Sequence, residues 1–464
     1  MMIDIITNRI YNVVEYGNPS FKWRLRTMKK KTGLAKWEKE YSFIKGHATT
    51  NKMRNTLIAL SLAVKYHKGQ CRDGGEPYII HPLMVCKSLM LLNIEKNLKE
   101  WHPEKEEKWS MHECDIVYAA AILHDVIEDC ELPNKGKELV SEYHLEKEVL
   151  EVVMLLTKPP KHKKWLWSQS YDEEVYYEKI ALNWKATLIK ISDRANNCST
   201  MVVFDEDRLR KYIIETKNKI YPLAEKGKIK YPAISDTIII LENLIVSICE
   251  TIASMLGMQK VFVDENEKYK KMVHFIEGAA RNNMPNTYKA LILAQKFHAS
   301  HTRTSGDPFI IHPLRVCSYL MSLDAGDDYT YAASLLHEIP QKTETHESGI
   351  KLIKKYGLDQ EVINVVELVS NKEQSLKDYY SKIEKNERAL LEKLSNRVHT
   401  CTLLANASKI ENISYIQETK KYMVPMCKNG MLYYPQYANQ IEIMQSHIMA
   451  ISNVVEVLTK KRNW

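Results

Sequence analysis

The chain has 464 residues, room for two or three domains at roughly 150 residues each. Hydrophobic residues make up 45% and charged residues 27%, the balance of a soluble protein with a buried core, and only 15 Gly and 15 Pro argue against a loop-rich all-β, collagenous or linker-dominated chain. The 66 basic and 58 acidic residues leave a charge of +8, a mild excess that suits an anionic small molecule and does not call for nucleic acid.

The elements run in order as follows. Residues 1–47 form an N-terminal extension with a basic run, FKWRLRTMKKKTGLAK, expected to be a solvated helix or tail. Leu57, Leu60, Leu62, Ala63 and Val64 repeat at helical spacing, and the Gly-rich CRDGGEP then breaks the pattern. Val117, Ala120, Ala121 and Leu123 predict another helix, as do Val149, Val152, Val153, Leu155 and Leu156. Ile234 to Leu256 is the most apolar long stretch, but Asp236, Glu242 and Glu250 make it a core helix rather than a membrane span. No series of alternating strands appears. The nine cysteines form no CxxC pair and read as buried thiols, and the N-terminus has no export signal, so a cytoplasmic location without membrane contact is expected.

The chain also repeats itself. Asn55 to Met90 aligns without a gap to Asn286 to Met321, a shift of 231 residues (286 − 55). YAAAILHDVIED at Tyr118 matches YAASLLHEIPQK at Tyr331, a shift of 213, and ISDRANN matches LSNRVHT at a shift of 203. The expected architecture is all-α, two tandem helical globules at 48–257 and 279–460 joined by a linker at 258–278. The falling shifts mark extra polar pieces in the first copy near 94–115 and 158–175, expected to be surface loops or a lid.

LHDVIED places His124, Asp125, Glu128 and Asp129 within one and a half helical turns, directly after the apolar YAAAIL. Buried charge is costly unless it is paired or holds a metal, and imidazole with carboxylate suits Mn²⁺, Fe²⁺ or Zn²⁺. An HD dipeptide alone is weak. His81 in PYIIHP and Asp193 in KISDRANN, each in an apolar setting, strengthen it, although singly His81 reads as a core histidine and Asp193–Arg194 as an ion pair.

Taken together, HKGQ, GEPYIIHP, ILHDVIED, LTK and ISDRANN resemble the hydrolase domain of the RelA/SpoT family, across about Asn55 to Thr200. The resemblance implies an HD-superfamily helical fold and removal of the 3′-pyrophosphate of the alarmones ppGpp and pppGpp. It implies one Mn²⁺ in the first repeat, held by His81, His124, Asp125 and Asp193, with Glu128 and Asp129 handling the attacking water. Arg72 and Asp73 fall in the family's substrate loop, and Asn197 and Thr200 on its ribose and phosphate side. Asp73 and Gly74 stand where family members carry Lys and Ser, which leaves an adenosine alarmone or NADPH open as substrate, and a non-catalytic nucleotide- or partner-binding protein as a further alternative. In the second copy His312 and His337 persist, but Glu338, Gln341, Lys342 and Asn396 replace Asp125, Glu128, Asp129 and Asp193, so that copy is expected to be catalytically dead. Packing of the two repeats within one chain is expected, and a homo-oligomer stays open.

Overall fold

The computed structural model describes residues 34–130, 136–158, 172–259, 261–262, 265–303, 307–371 and 375–461. Most of the N-terminal basic run, the greater part of the 158–175 insertion and Gly306 lie outside these residues. Among the described residues every regular element is helical, and the only β pairings are two isolated bridges, Cys71 with Pro77 and Thr302 with Pro308. The fold is therefore all-α, as the periodicity predicts. The nine cysteines are free thiols, all buried but Cys71 and Cys130. The chain divides into two compact units, Met1–Lys87 with Met111–Trp167 and Ser88–Ser110 with Ser168–Trp464.

In the first unit the helix Arg54–Tyr66 has no side-chain cap from its own N-cap residue, Met53. The cap comes from elsewhere in the chain. Asp115, buried on the helix Glu107–Leu123, accepts from the backbone N–H groups of Asn55 (2.9 Å) and Thr56 (2.8 Å). It also accepts from Asn55 Nδ2 (3.0 Å) and Thr56 Oγ1 (2.7 Å). A carboxylate there satisfies orphan amides and complements the helix dipole. Asn55 reaches on to Glu146 Oε1 at 2.8 Å, tying in the helix Lys147–Leu156, whose Val149, Val152, Val153 and Leu156 are buried at three- and four-residue spacing.

The same device recurs in the second unit. Asp328 accepts from Asn286 and Thr287 at the start of the helix Pro285–Phe297, and Asn286 reaches Asp359 at 3.0 Å. The helix Trp184–Thr200 is capped by Asn183 (3.0 Å to the Ala186 N–H) and pinned by Arg194, which donates to Thr216 Oγ1 (3.1 Å) and Glu215 (2.6 Å) beside a π-helical turn, Thr216–Ile220. Arg397 makes the matching contacts with Thr419 and Glu418 at the π turn Thr419–Met423. The helix Ser235–Met255 packs on Ala438–Lys461, so residues of both sequence repeats meet inside this unit. By length and composition Pro232–Met255 alone among the described helices is long and apolar enough to cross a membrane, and 61% of its apolar window is buried within the protein.

Two expectations change. The extra piece near 94–115 is not a loop: it forms the helix Ile94–Trp101, which buries Ile94 and Leu98 four residues apart, and the first turns of Glu107–Leu123. Residues 265–283, largely within the stretch read as a linker, form the helix Glu265–Asn283 that leads into the second copy, as Leu34–Thr50 leads into the first.

Candidate metal centre

The loop after Arg54–Tyr66 is folded back by Arg72 N–H to Glu76 O (2.9 Å) and Tyr78 N–H to Gln70 O (2.9 Å), with Gly75 at φ +79°, a conformation that favours glycine. This turn delivers Tyr78 and then His81, which sits in the first turn of the helix Ile80–Leu91. His124 and Asp125 follow where the helix Glu107–Leu123 ends. His81 and His124 are buried to 2% and 3% exposure, and one carboxylate oxygen, Asp125 Oδ2, lies 3.4 Å from His81 Nε2 and 3.1 Å from His124 Nε2. His124 Nδ1 is 2.8 Å from the carbonyl of Ala121, which can only accept, so in the neutral ring the hydrogen is on Nδ1 and Nε2 carries a lone pair. A lone pair then faces a carboxylate oxygen at 3.1 Å, an arrangement that a shared proton or a bound cation must satisfy. Two imidazoles and a carboxylate with ligand atoms within 4.8 Å of one another fit a divalent ion.

Burial alone would raise the Asp125 pKa, but the imidazoles of His124 and His81 outweigh it and hold the carboxyl well below its usual range. Tyr78 donates its hydroxyl to the same Oδ2 at 2.7 Å and stacks on His67 (centroids 4.8 Å). Burial and the Asp125 charge push the Tyr78 pKa far up, so it stays a donor. Neither Tyr78 nor the buried His67, whose Nδ1 is 2.7 Å from Gln70 Oε1, was singled out by the sequence reading. The signal lay in the aromatic residue three positions before His81 and in the HKGQ segment.

Glu128 and Asp129 occupy the short helix Val126–Asp129 beside the cluster and are both exposed. Glu128 Oε2 accepts from the Lys158 backbone N–H at 3.1 Å. The pKa of Asp129 is raised, first by desolvation and then by the charge of Asp125. Arg72 and Asp73 lie on the loop that precedes Tyr78, Asp73 in solvent. Asp193, Asn197 and Thr200 belong to the second unit. There Asp193 is buried and pairs with Lys190 (3.1 Å), not with Arg194, and accepts from Asn197 Nδ2 at 2.6 Å. Asn197 thus orients Asp193, and the Thr200 hydroxyl bonds back to the carbonyls of Asn196 and Asn197 in its own helix.

A family model described as an HD domain matches residues 290–428. Part of the chain is similar to the guanosine-3′,5′-bis(diphosphate) 3′-pyrophosphohydrolases of Vibrio cholerae, 29% identical over 162 residues, 34% of this chain and 20% of that protein, and Aquifex aeolicus, 32% identical over 173 residues, 36% and 21%. It is also similar to the GTP pyrophosphokinase of Streptomyces coelicolor, 28% identical over 181 residues, 38% and 18%. The chain carries an HD-superfamily domain of the RelA/SpoT type. It spans about a fifth of the length of these curated relatives. No solved structure matches.

The stretch matched by the HD model holds a second cluster. His312 and His337 are each 2% exposed, their Nε2 atoms are 3.1 Å apart, and Glu338 Oε1 lies 3.6 and 3.5 Å from them. More than two histidines of this HD constellation persist, because the longer Glu338 side chain brings its carboxylate back to where Asp125 sits in the first. Other features differ. Phe309 replaces Tyr78 and removes the hydroxyl, and its ring takes the Lys342 ammonium at 4.6 Å. Burial holds His312 down to about 4, whereas burial of His337 is outweighed by Glu392 and Glu338, which raise it.

Proposed function

We propose that the first repeat is a metal-dependent hydrolase that removes the 3′-pyrophosphate of guanosine alarmones, converting ppGpp or pppGpp to GDP or GTP plus pyrophosphate. The observation that carries this is the lone pair of His124 Nε2 facing Asp125 Oδ2 at 3.1 Å, with His81 beside them. The names of the similar proteins supply the substrate class. His81, His124 and Asp125 hold the ion, and Asp193 is assigned as the fourth ligand on the sequence motif alone. Mn²⁺ is the proposed ion; when bound it polarises a phosphoryl oxygen and lowers the pKa of water.

The chain's own residues do the rest. Tyr78 fixes the Asp125 carboxylate through its hydroxyl, and the Ala121 carbonyl fixes the tautomer of His124. Asp129 takes the proton from the attacking water, because Glu128 is already engaged by the Lys158 amide. Arg72 holds the substrate's anionic or guanine edge. The repeat spanning 279–460 is a duplicated HD unit without turnover of its own.

The test is pyrophosphate release with Mn²⁺ from ppGpp, ppApp and NADPH in parallel, with Asp125→Ala as the blank. Release from ppGpp that disappears in the blank supports the reading. Release from ppApp alone, or inorganic phosphate from NADPH alone, moves the substrate. Silence on all three would refute hydrolysis of this class.

A further inference from the structure

The second cluster looks, by its residue types, like another divalent-cation site. Its hydrogen bonds say otherwise. Arg315 Nη1 is 3.2 Å from His399 Nε2; His399 Nδ1 is 2.5 Å from His312 Nδ1; His312 Nε2 is 3.1 Å from His337 Nε2; and His337 Nδ1 is 2.8 Å from the Ser334 carbonyl. Three imidazoles thus form an unbroken chain between a group that can only donate and a group that can only accept.

Those two ends set every hydrogen between them. The guanidinium cannot accept, so His399 Nε2 is an acceptor and its hydrogen is on Nδ1. His399 then donates to His312 Nδ1, which leaves the His312 hydrogen on Nε2. His312 Nε2–H donates to His337 Nε2, and His337 Nδ1–H donates to Ser334. All three rings are satisfied while neutral, and no lone pair of His312 or His337 is left for a cation. In the first repeat the aligned positions of Arg315 and His399 are Met84 and Asn196, neither of which can impose this order on His81.

We infer that the second HD constellation takes no divalent ion, and that Arg315 and His399 close it by fixing His312 in the tautomer that cannot ligate. The inference deepens the reading of the second repeat as catalytically silent and rests on it. It gives that silence a cause beyond lost carboxylates: a hydrogen-bonded imidazole chain occupies the place of the metal, and the core stays satisfied without one.

The experiment uses the full chain with His124→Ala and Asp125→Ala, dialysed against Mn²⁺ or Co²⁺, with bound metal measured by mass spectrometry. The expected result is no ion above buffer background, and recovery of about one ion per chain when Arg315→Met, His399→Asn, Glu338→Asp and Asn396→Asp are added. An ion retained without those four changes and lost with His337→Ala would overturn the inference. Nitrogen NMR of the ¹⁵N-histidine-labelled wild-type chain decides it independently of folding in the variants: hydrogen on His312 Nε2 is expected, and hydrogen on Nδ1 would overturn it. A wild-type chain that binds no metal at all would refute the first-repeat site, while the His312 tautomer would still decide the second.

Discussion

Replacing Tyr78 with Phe removes one atom and tests the candidate centre without disturbing its frame. The hydroxyl donates to Asp125 Oδ2 at 2.7 Å, the oxygen that both imidazoles approach, and Asp125 is only 23% exposed, so water replaces the lost donor poorly. The ring itself keeps its stack on His67 at 4.8 Å. A hydrogen bond to a charged group contributes about 1.5–3 kcal/mol, and loss of a partner that orients a metal ligand typically weakens metal binding about 10–100-fold. The two scales agree, since a factor of ten is about 1.4 kcal/mol. Tyr78→Phe should therefore raise the Mn²⁺ dissociation constant of the first repeat by about one to two orders of magnitude, with the thermal midpoint held. Calorimetric or paramagnetic-resonance titration of Mn²⁺ reads it. An unchanged dissociation constant would show that the carboxylate is positioned without Tyr78.

Asp115→Ala leaves the Asn55 and Thr56 backbone N–H groups at the start of the helix Arg54–Tyr66 without their carboxylate acceptor, and urea unfolding should show a loss of roughly 3 kcal/mol; Asp328→Ala should cost a similar amount in the second unit, and an effect under about 0.5 kcal/mol for both would refute the capping role. His447 is buried beside Tyr319, and desolvation holds its pKa down to about 3. A depressed base pKa stabilises fully above the unfolded value, near 6.5, and that contribution falls as pH drops from there toward 3. By pH 5 the loss from this group is about 2 kcal/mol, and His447→Gln should flatten the urea midpoint's dependence between pH 7 and 5 accordingly; an equal slope would refute it. Asn197→Ala removes the 2.6 Å donor to Asp193. It should weaken metal binding while His447→Gln does not, and equal metal affinities in the two variants would remove Asn197 from the positioning role.

The all-helical fold was legible because apolar residues at three- and four-residue spacing, such as Val149, Val152, Val153 and Leu156, report burial directly. The leading helices Leu34–Thr50 and Glu265–Asn283 were not, since the likeness between them is confined to a short stretch, FIKG against FIEG, and the second lay in a stretch that read as polar linker. Ile94–Trp101 was missed for a related reason: two apolar positions, Ile94 and Leu98, anchor an otherwise charged segment. At the site, the HD motif and PYIIHP led to three groups that converge, His81, His124 and Asp125. Tyr78 was invisible because its role depends on a contact across 47 positions of sequence. The same holds for His399, which meets His312 across 87 positions and looks, in LSNRVHT, like one more polar helix residue. Local pattern reports which face is buried; it does not report which buried polar groups meet.

The measurement that tests the central claim most directly is Mn²⁺-dependent pyrophosphate release from ppGpp by the full chain carrying either Asp125→Ala or Glu338→Ala. Loss of release in the first variant with full release in the second places the chemistry in the first repeat. Persistence in Asp125→Ala with loss in Glu338→Ala would contradict it and place turnover at His312, His337 and Glu338.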